Sequence, residues 1–206
     1  MKIIRSFRKS LIFPLVIPLK NEYNRLRKKV IPMDEEFYPM IQDILDHPVF
    51  QKLRELPHHG PDNSVYDHSL ATARRAYLLG RGLRLGQEEL RSLTRAALLH
   101  DFFGYDWRDG WYKELVSRYR GMRRLTHMHA FWHGQIAAER ARLYFDLSPE
   151  QCAAIASHMF PLSTSLPRSR QAWLITLADK MVASREMSVT AGRSMYGLWR
   201  RLFAYS

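Results

Sequence analysis

The sequence predicts an all-α fold. Three observations carry this: beyond Pro32 apolar residues recur at helical spacing, Gly, Pro and Asp-rich breaks separate the segments, and no sustained alternating run calls for a sheet. With 206 residues, 46% apolar and 25% charged, the chain can bury a core without disulfides and is too apolar for a disordered or fibrous design. The single cysteine, Cys152, cannot form an internal disulfide, which fits a reducing, cytoplasmic setting.

The first element is a basic and apolar extension, residues 1–32, ahead of a domain over 33–206. The formal net charge of +12 resembles a nucleic-acid signal, but residues 1–30 alone supply +8 and the rest only +4. Within the extension, Leu11–Leu19 (LIFPLVIPL) follows a basic stretch, as in a secretory leader. Two prolines interrupt it, no small-residue cleavage site follows, and Lys20 ends it far short of the roughly 20 residues that span a bilayer. The expectation is an uncleaved segment packing on the domain. The alternative is weak attachment of residues 1–30 to an anionic membrane surface or nucleic acid, which would make the protein peripheral to the membrane.

Asp34–Leu45 and His47–Leu56 then read as helical segments ending at Pro57, and His58–Asn63 reads as a loop. Ser64 caps a helix running to about Gly82. Further helices are predicted over about Gln87–Phe102, His129–Phe145, Pro149–Met159 with Ser148 as cap, Arg170–Met187, and Ala191–Phe203. The aromatic and basic stretch Trp107–Arg124 reads as an apron packed between helices, or alternatively as a lid that stacks a nucleobase.

Polar residues on the apolar stripes point to chemistry. His68 shares a stripe with Val65, Thr72 and Ala76; His100 with Leu93, Ala96 and Ala97. His133 aligns with Ile136 and Ala137, His158 with Ala154 and Ile155, and Asp179 with Ile175 and Val182. Asp101 sits beside His100 near a helix end, where adjacent side chains can straddle a pair of metals. One such histidine is ordinarily a hydrogen-bonded core residue, but six buried acids and imidazoles from five helices can hardly each find a private partner. A shared cation satisfies them, and the mixture of imidazole and carboxylate suits divalent Fe, Mn, Co or Zn, expected as two ions.

His129 and His133 lie at i and i+4, yet Ala130 stands where a zincin needs its glutamate base. His133 is therefore the expected ligand, and His129 an outer or phosphate-contacting group. Cationic side chains should hold the phosphate oxygens: Lys180 and Arg185, on the helix carrying Asp179, are the first candidates, and His58, His59 and His129 come next. A structural zinc site is disfavoured, since such sites use four ligands rich in cysteine.

In their order, His68 in SVYDHSLATA, His100-Asp101 in ALLHDFFGYDW, His133 in HAFWHG, His158 in ASHMFPL and Asp179 in ITLADKMVA resemble the HD superfamily of metal-dependent phosphohydrolases. The chain is similar to small bacterial HD-domain proteins sharing HHG, HDFF and ADK, and in ligand order to enzymes that split diadenosine tetraphosphate symmetrically. The resemblance implies an HD-type helical bundle holding two metals, with Asp101 spanning both ions and His100, Asp101, Lys180 and His129 serving catalysis. It also implies a small-molecule phosphate substrate, a nucleotide or dinucleoside polyphosphate, cleaved by a metal-activated water. The competing expectation is a noncatalytic ligand sensor whose arm docks elsewhere. Two features depart from the pattern: the extension has no counterpart, and Phe102-Phe103 replaces the Ile-Gly that often follows the pair.

Overall fold

The computed structural model describes residues 33–60, 63–121, 128–163 and 165–203, so the expectations for the extension lie outside it. By its backbone contacts the chain divides into Met1–Glu36 and Phe37–Ser206. The described part of the first unit, Met33–Glu36, begins α1 (Met33–Phe37). All described ligand candidates belong to the second.

Among its described residues the second unit is helical apart from one small hairpin. Instead of one helix to Leu45, α1 gives way to a 3-10 turn, Tyr38–Met40, before α2 (Gln42–Leu45). Pro39 sits in that turn and lacks the N–H an α-ladder would need. α3 (Pro48–Gln51) is capped by His47, whose Nδ1 accepts from Val49 N–H at 3.2 Å. Where a loop was expected, Pro57–Gly60 (β1) and Asn63–Ser64 (β2) pair antiparallel.

Two helices begin on reciprocal caps. In α4 (Val65–Gly82) Ser64 Oγ accepts from Asp67 N–H at 3.1 Å, and the Asp67 carboxylate accepts from Ser64 N–H. α8 (Pro149–Ser157) repeats the device with Ser148 and Gln151. Both caps fall on the predicted serines. Between them lie α5 (Gln87–Leu98), α6 (Gly110–Ser117) and α7 (His129–Tyr144). α4 packs against α5 and the last helix, and α8 against α5, α7 and that same helix. The shared interior is apolar, with Phe50, Leu93, Phe102 and Ile155 fully buried.

Three departures from the predicted elements shape the site. α5 stops at Leu98, not Phe102: Leu99 N–H reaches both Arg95 O and Ala96 O, and the chain turns so that Phe102 N–H meets Leu99 O at 3.1 Å. His100 and Asp101 thus lie in a turn and escape the 100° separation of helical neighbours. The two predicted C-terminal helices are one, α9 (Arg170–Phe203). No Gly or Pro falls between Met187 and Ala191, and Ser188 and Thr190 hydroxyls donate to Arg185 O and Glu186 O within the helix. α6, part of the expected apron, buries none of its residues. No helix among the described residues is long and apolar enough to cross a membrane.

The caps carry a direct expectation. Ser148→Ala removes the acceptor that starts α8 and should lower unfolding stability by about 1 kcal/mol, read as a reduced midpoint in urea with an unchanged slope.

Candidate metal centre

The turn after α5, the first turns of α4 and α7, the N-terminal third of α9 and the end of α8 converge on one buried cluster. His68, His100, Asp101, His133, His158 and Asp179 are all buried, so the structure brings together all six predicted ligands. His68 Nε2 lies 3.2 Å from Asp179 Oδ1 and 3.8 Å from Asp101 Oδ2. His100 Nε2 stands 3.5 Å from the same Asp101 oxygen and 3.7 Å from Asp179 Oδ1. The other Asp101 oxygen, Oδ1, faces His133 Nε2 at 3.2 Å and His158 Nε2 at 3.5 Å.

Local backbone fixes which nitrogen each ring presents. His100 Nδ1–H donates to Ala97 O at 2.9 Å and His158 Nδ1–H to Ile155 O at 2.7 Å, both carbonyls at the end of a helix. His133 Nδ1–H donates to His129 O at 2.9 Å. A carbonyl only accepts, so Nδ1 of each ring carries a proton, which leaves Nε2 as the nitrogen that faces the centre and, in the neutral ring, the one able to bind a metal. Gly134 lets α7 approach closely enough: a Cβ there would stand 3.1 Å from Ala156 O and 3.2 Å from the His158 ring.

The result is a crowded set of donor atoms that a cation would satisfy. His133 Nε2 and His158 Nε2 are 3.0 Å apart, the spacing of two nitrogens bound at right angles to one ion with bonds of about 2.1 Å. His100 Nε2 and Asp101 Oδ1 are buried and make no hydrogen bond, a costly state for each. Donor atoms of His68, His100 and Asp179 lie within 4.8 Å of one another, as do those of His100, Asp101 and His158, and those of His58, His68 and Asp101. The donor set therefore fits divalent metal.

His58 stands closer to the centre than a phosphate contact would require. Arg108 holds its strand by donating to the carbonyls of Pro57 and His58, and His58 Nε2 comes within 3.3 Å of Asp101 Oδ2. Glu186 was not foreseen: its Oε2 is 2.9 Å from His68 Nδ1 and 3.6 Å from His58 Nδ1. Its signal was available, since Glu186 lies seven residues, two helical turns, after Asp179 and shares its face. Arg185, one residue earlier, is exposed and does not line the cavity described below. The side chain of His59 lies outside the described ones.

Charge follows this geometry. Burial disfavours an imidazolium at His68, but the Asp179 and Glu186 carboxylates outweigh it and raise its pKa to about 10. Burial likewise opposes ionisation of Asp101 and Asp179, yet the surrounding histidines hold both well below the usual carboxylate range. His129 differs: burial, then neighbouring His133, pushes it down to about 3. The expectation of a cationic phosphate contact at His129 gives way to a neutral ring, packed on Trp107 and His133, with Tyr105 Oη 3.1 Å from its Nδ1. Lys180 Nζ donates to Asp179 Oδ2 at 2.8 Å and lies 3.3 Å from Met159 Sδ.

The cluster forms the floor of a cavity of about 660 Å³, whose lining includes His58, Asp101, His133, His158, Asp179 and Lys180. Trp107, Tyr112 and Val116 form part of its wall, so the aromatic segment faces a void where an apron between helices was expected. Phe102 and Phe103, which stand where the pattern often has Ile-Gly, both pack: Phe102 lies 6.2 Å from Phe50, and Phe103 lies 4.6 Å from the His129 ring.

The profile of one family, described as HD domain, matches residues 65–184. That span contains the six clustered residues and ends two residues before Glu186. No curated protein and no solved structure matches the chain.

Below about pH 10 the metal-free His68 is an imidazolium, so a metal bound at Nε2 must displace a proton. Calorimetric titration with Mn at pH 7, in buffers of different ionisation enthalpy, should show release of about one proton or more. Glu186→Gln should weaken metal binding about 10- to 100-fold, because it removes the carboxylate that orients the His68 ring.

Proposed function

This chain belongs to the HD domain family, a superfamily of metal-dependent phosphohydrolases, and from that premise we propose that it hydrolyses a phosphate ester or anhydride at the cluster centred on Asp101. The observation that carries the proposal is the division of labour across one carboxylate. Asp101 Oδ2 faces His58, His68 and His100, whereas Oδ1 faces His133 and His158. A carboxylate with separate imidazole groups on its two oxygens is suited to bridge two ions of the first transition row.

Divalent ions held there would lower the pKa of a water toward neutrality and neutralise phosphate oxygens. The protein's own residues do the rest. His68, His100, Asp101, His133, His158 and Asp179 would hold the metal, each ring oriented by its Nδ1 partner. Lys180, anchored on Asp179 at the cavity floor, is placed to take an outer phosphate oxygen. His129, neutral and next to Tyr105, serves as an uncharged hydrogen-bonding group toward the same ligand.

The charge of the cavity narrows the substrates expected from the sequence. Apart from histidines, Lys113 and Lys180 are the cationic side chains among the described lining residues. Two ions and two lysines suit a single phosphoryl group better than the multiply charged chain of a dinucleoside polyphosphate. Whether the rest of the substrate is the nucleoside of that expectation is a matter for the cavity wall.

The test uses p-nitrophenyl phosphate with Mn, Co or Fe. The wild-type protein should release phosphate, and His100→Ala and Asp101→Ala should each reduce turnover to background while far-UV circular dichroism stays helical. Undiminished turnover in either variant would remove the proposal. Metal binding without turnover in the wild type would favour the ligand sensor instead.

A further inference from the structure

Beyond the metal floor, the cavity changes character. Its wall includes Val116, Met128, Met159, Leu162, Ala183 and Met187. Apart from Asp101 and Asp179 on the floor, no Asp, Glu, Asn, Gln, Ser or Thr is among the described lining residues. Among the described lining residues, polar groups away from the floor are confined to the Trp107 indole N–H, Tyr112, Lys113 and His129.

A nucleoside is poorly matched to such a wall. Its base and sugar carry several donors and acceptors, and each one desolvated without a partner weakens binding. An aliphatic chain has nothing to leave unpaired. Methionine also suits it, because three unbranched, rotatable side chains can follow the contour of a flexible ligand.

Two of the wall residues also reach solvent. Leu162 and Met187 are 51% and 58% exposed, and Trp111 and Leu115, one turn apart on α6, are also exposed. A chain longer than the cavity could therefore run out over apolar side chains instead of entering water abruptly.

We infer that the site takes a phosphate monoester of a long aliphatic alcohol, phosphate on the metal floor and hydrocarbon along the Met128–Met159–Leu162–Met187 wall. The inference rests on the proposed phosphohydrolase reading and adds the class of the leaving group. On hydrolysis the P–O bond to the alcohol breaks, water supplies the oxygen that phosphate gains, and the alcohol leaves protonated.

The experiment compares butyl phosphate, decyl phosphate and adenosine monophosphate, all below micelle-forming concentrations, with the full chain. Binding is read first without metal, by tryptophan fluorescence, and then as KM with Mn. Decyl phosphate should bind about 50-fold more tightly than butyl phosphate, a conservative reading of six further buried methylenes. Leu162→Gln, at a half-exposed position that should not compromise folding, and Met187→Gln should each shrink that ratio several-fold. Equal affinity for the two alkyl esters, or tighter binding of adenosine monophosphate than of decyl phosphate, would overturn the inference while leaving a phosphohydrolase in place. Chain-length-dependent binding with no hydrolysis of any ester would retain the apolar site and remove the enzymatic reading.

Discussion

Two imidazole nitrogens held 3.0 Å apart, Nε2 of His133 and Nε2 of His158, are the constraint from which the rest of the centre follows. Each ring is committed through its other nitrogen to a backbone carbonyl, so neither can rotate away without losing a buried hydrogen bond. A cation between them would bind both nitrogens, and the Asp101 carboxylate beside both supplies compensating negative charge. The helices are arranged to maintain this crowding: Gly134 brings α7 against α8, and the turn after Leu98 swings His100 and Asp101 into the same space.

Much of this was legible from the residues. A histidine on an apolar stripe is ambiguous alone, but five histidine- or aspartate-bearing stripes on separate helices allowed few outcomes other than convergence, and the six residues do converge. The all-α class was equally visible, because helical periodicity with Gly and Pro punctuation survives any particular packing. Ser64 and Ser148 marked their helix starts through side chains whose hydrogen bonds are local.

What escaped the sequence was set by tertiary context or by small local choices. The end of α5 depends on a 3-10 tightening at Leu99 that no residue type announces. The hairpin at Pro57–Ser64 needs only two strands of four and two residues, below what an alternating pattern can reveal. Glu186 escaped for a different reason: attention to cations near Asp179 favoured Arg185, whereas the helical face presented the acid that follows it. Trp107 and Tyr112 belong to a segment without regular spacing, so whether they filled a gap or faced a void depended on neighbours distant in sequence.

The continuity of α9 has a mechanical consequence. One uninterrupted helix carries Asp179 and Lys180 on the cavity floor, Glu186 behind His68, and Met187 on the wall. Asp179 and Glu186 are about 10 Å apart along its axis, a distance over which a helix behaves as a stiff lever. A tilt that seated a ligand's far end against Met187 would also shift the carboxylate at the floor, gearing occupancy of the distal end to the geometry of the reacting end.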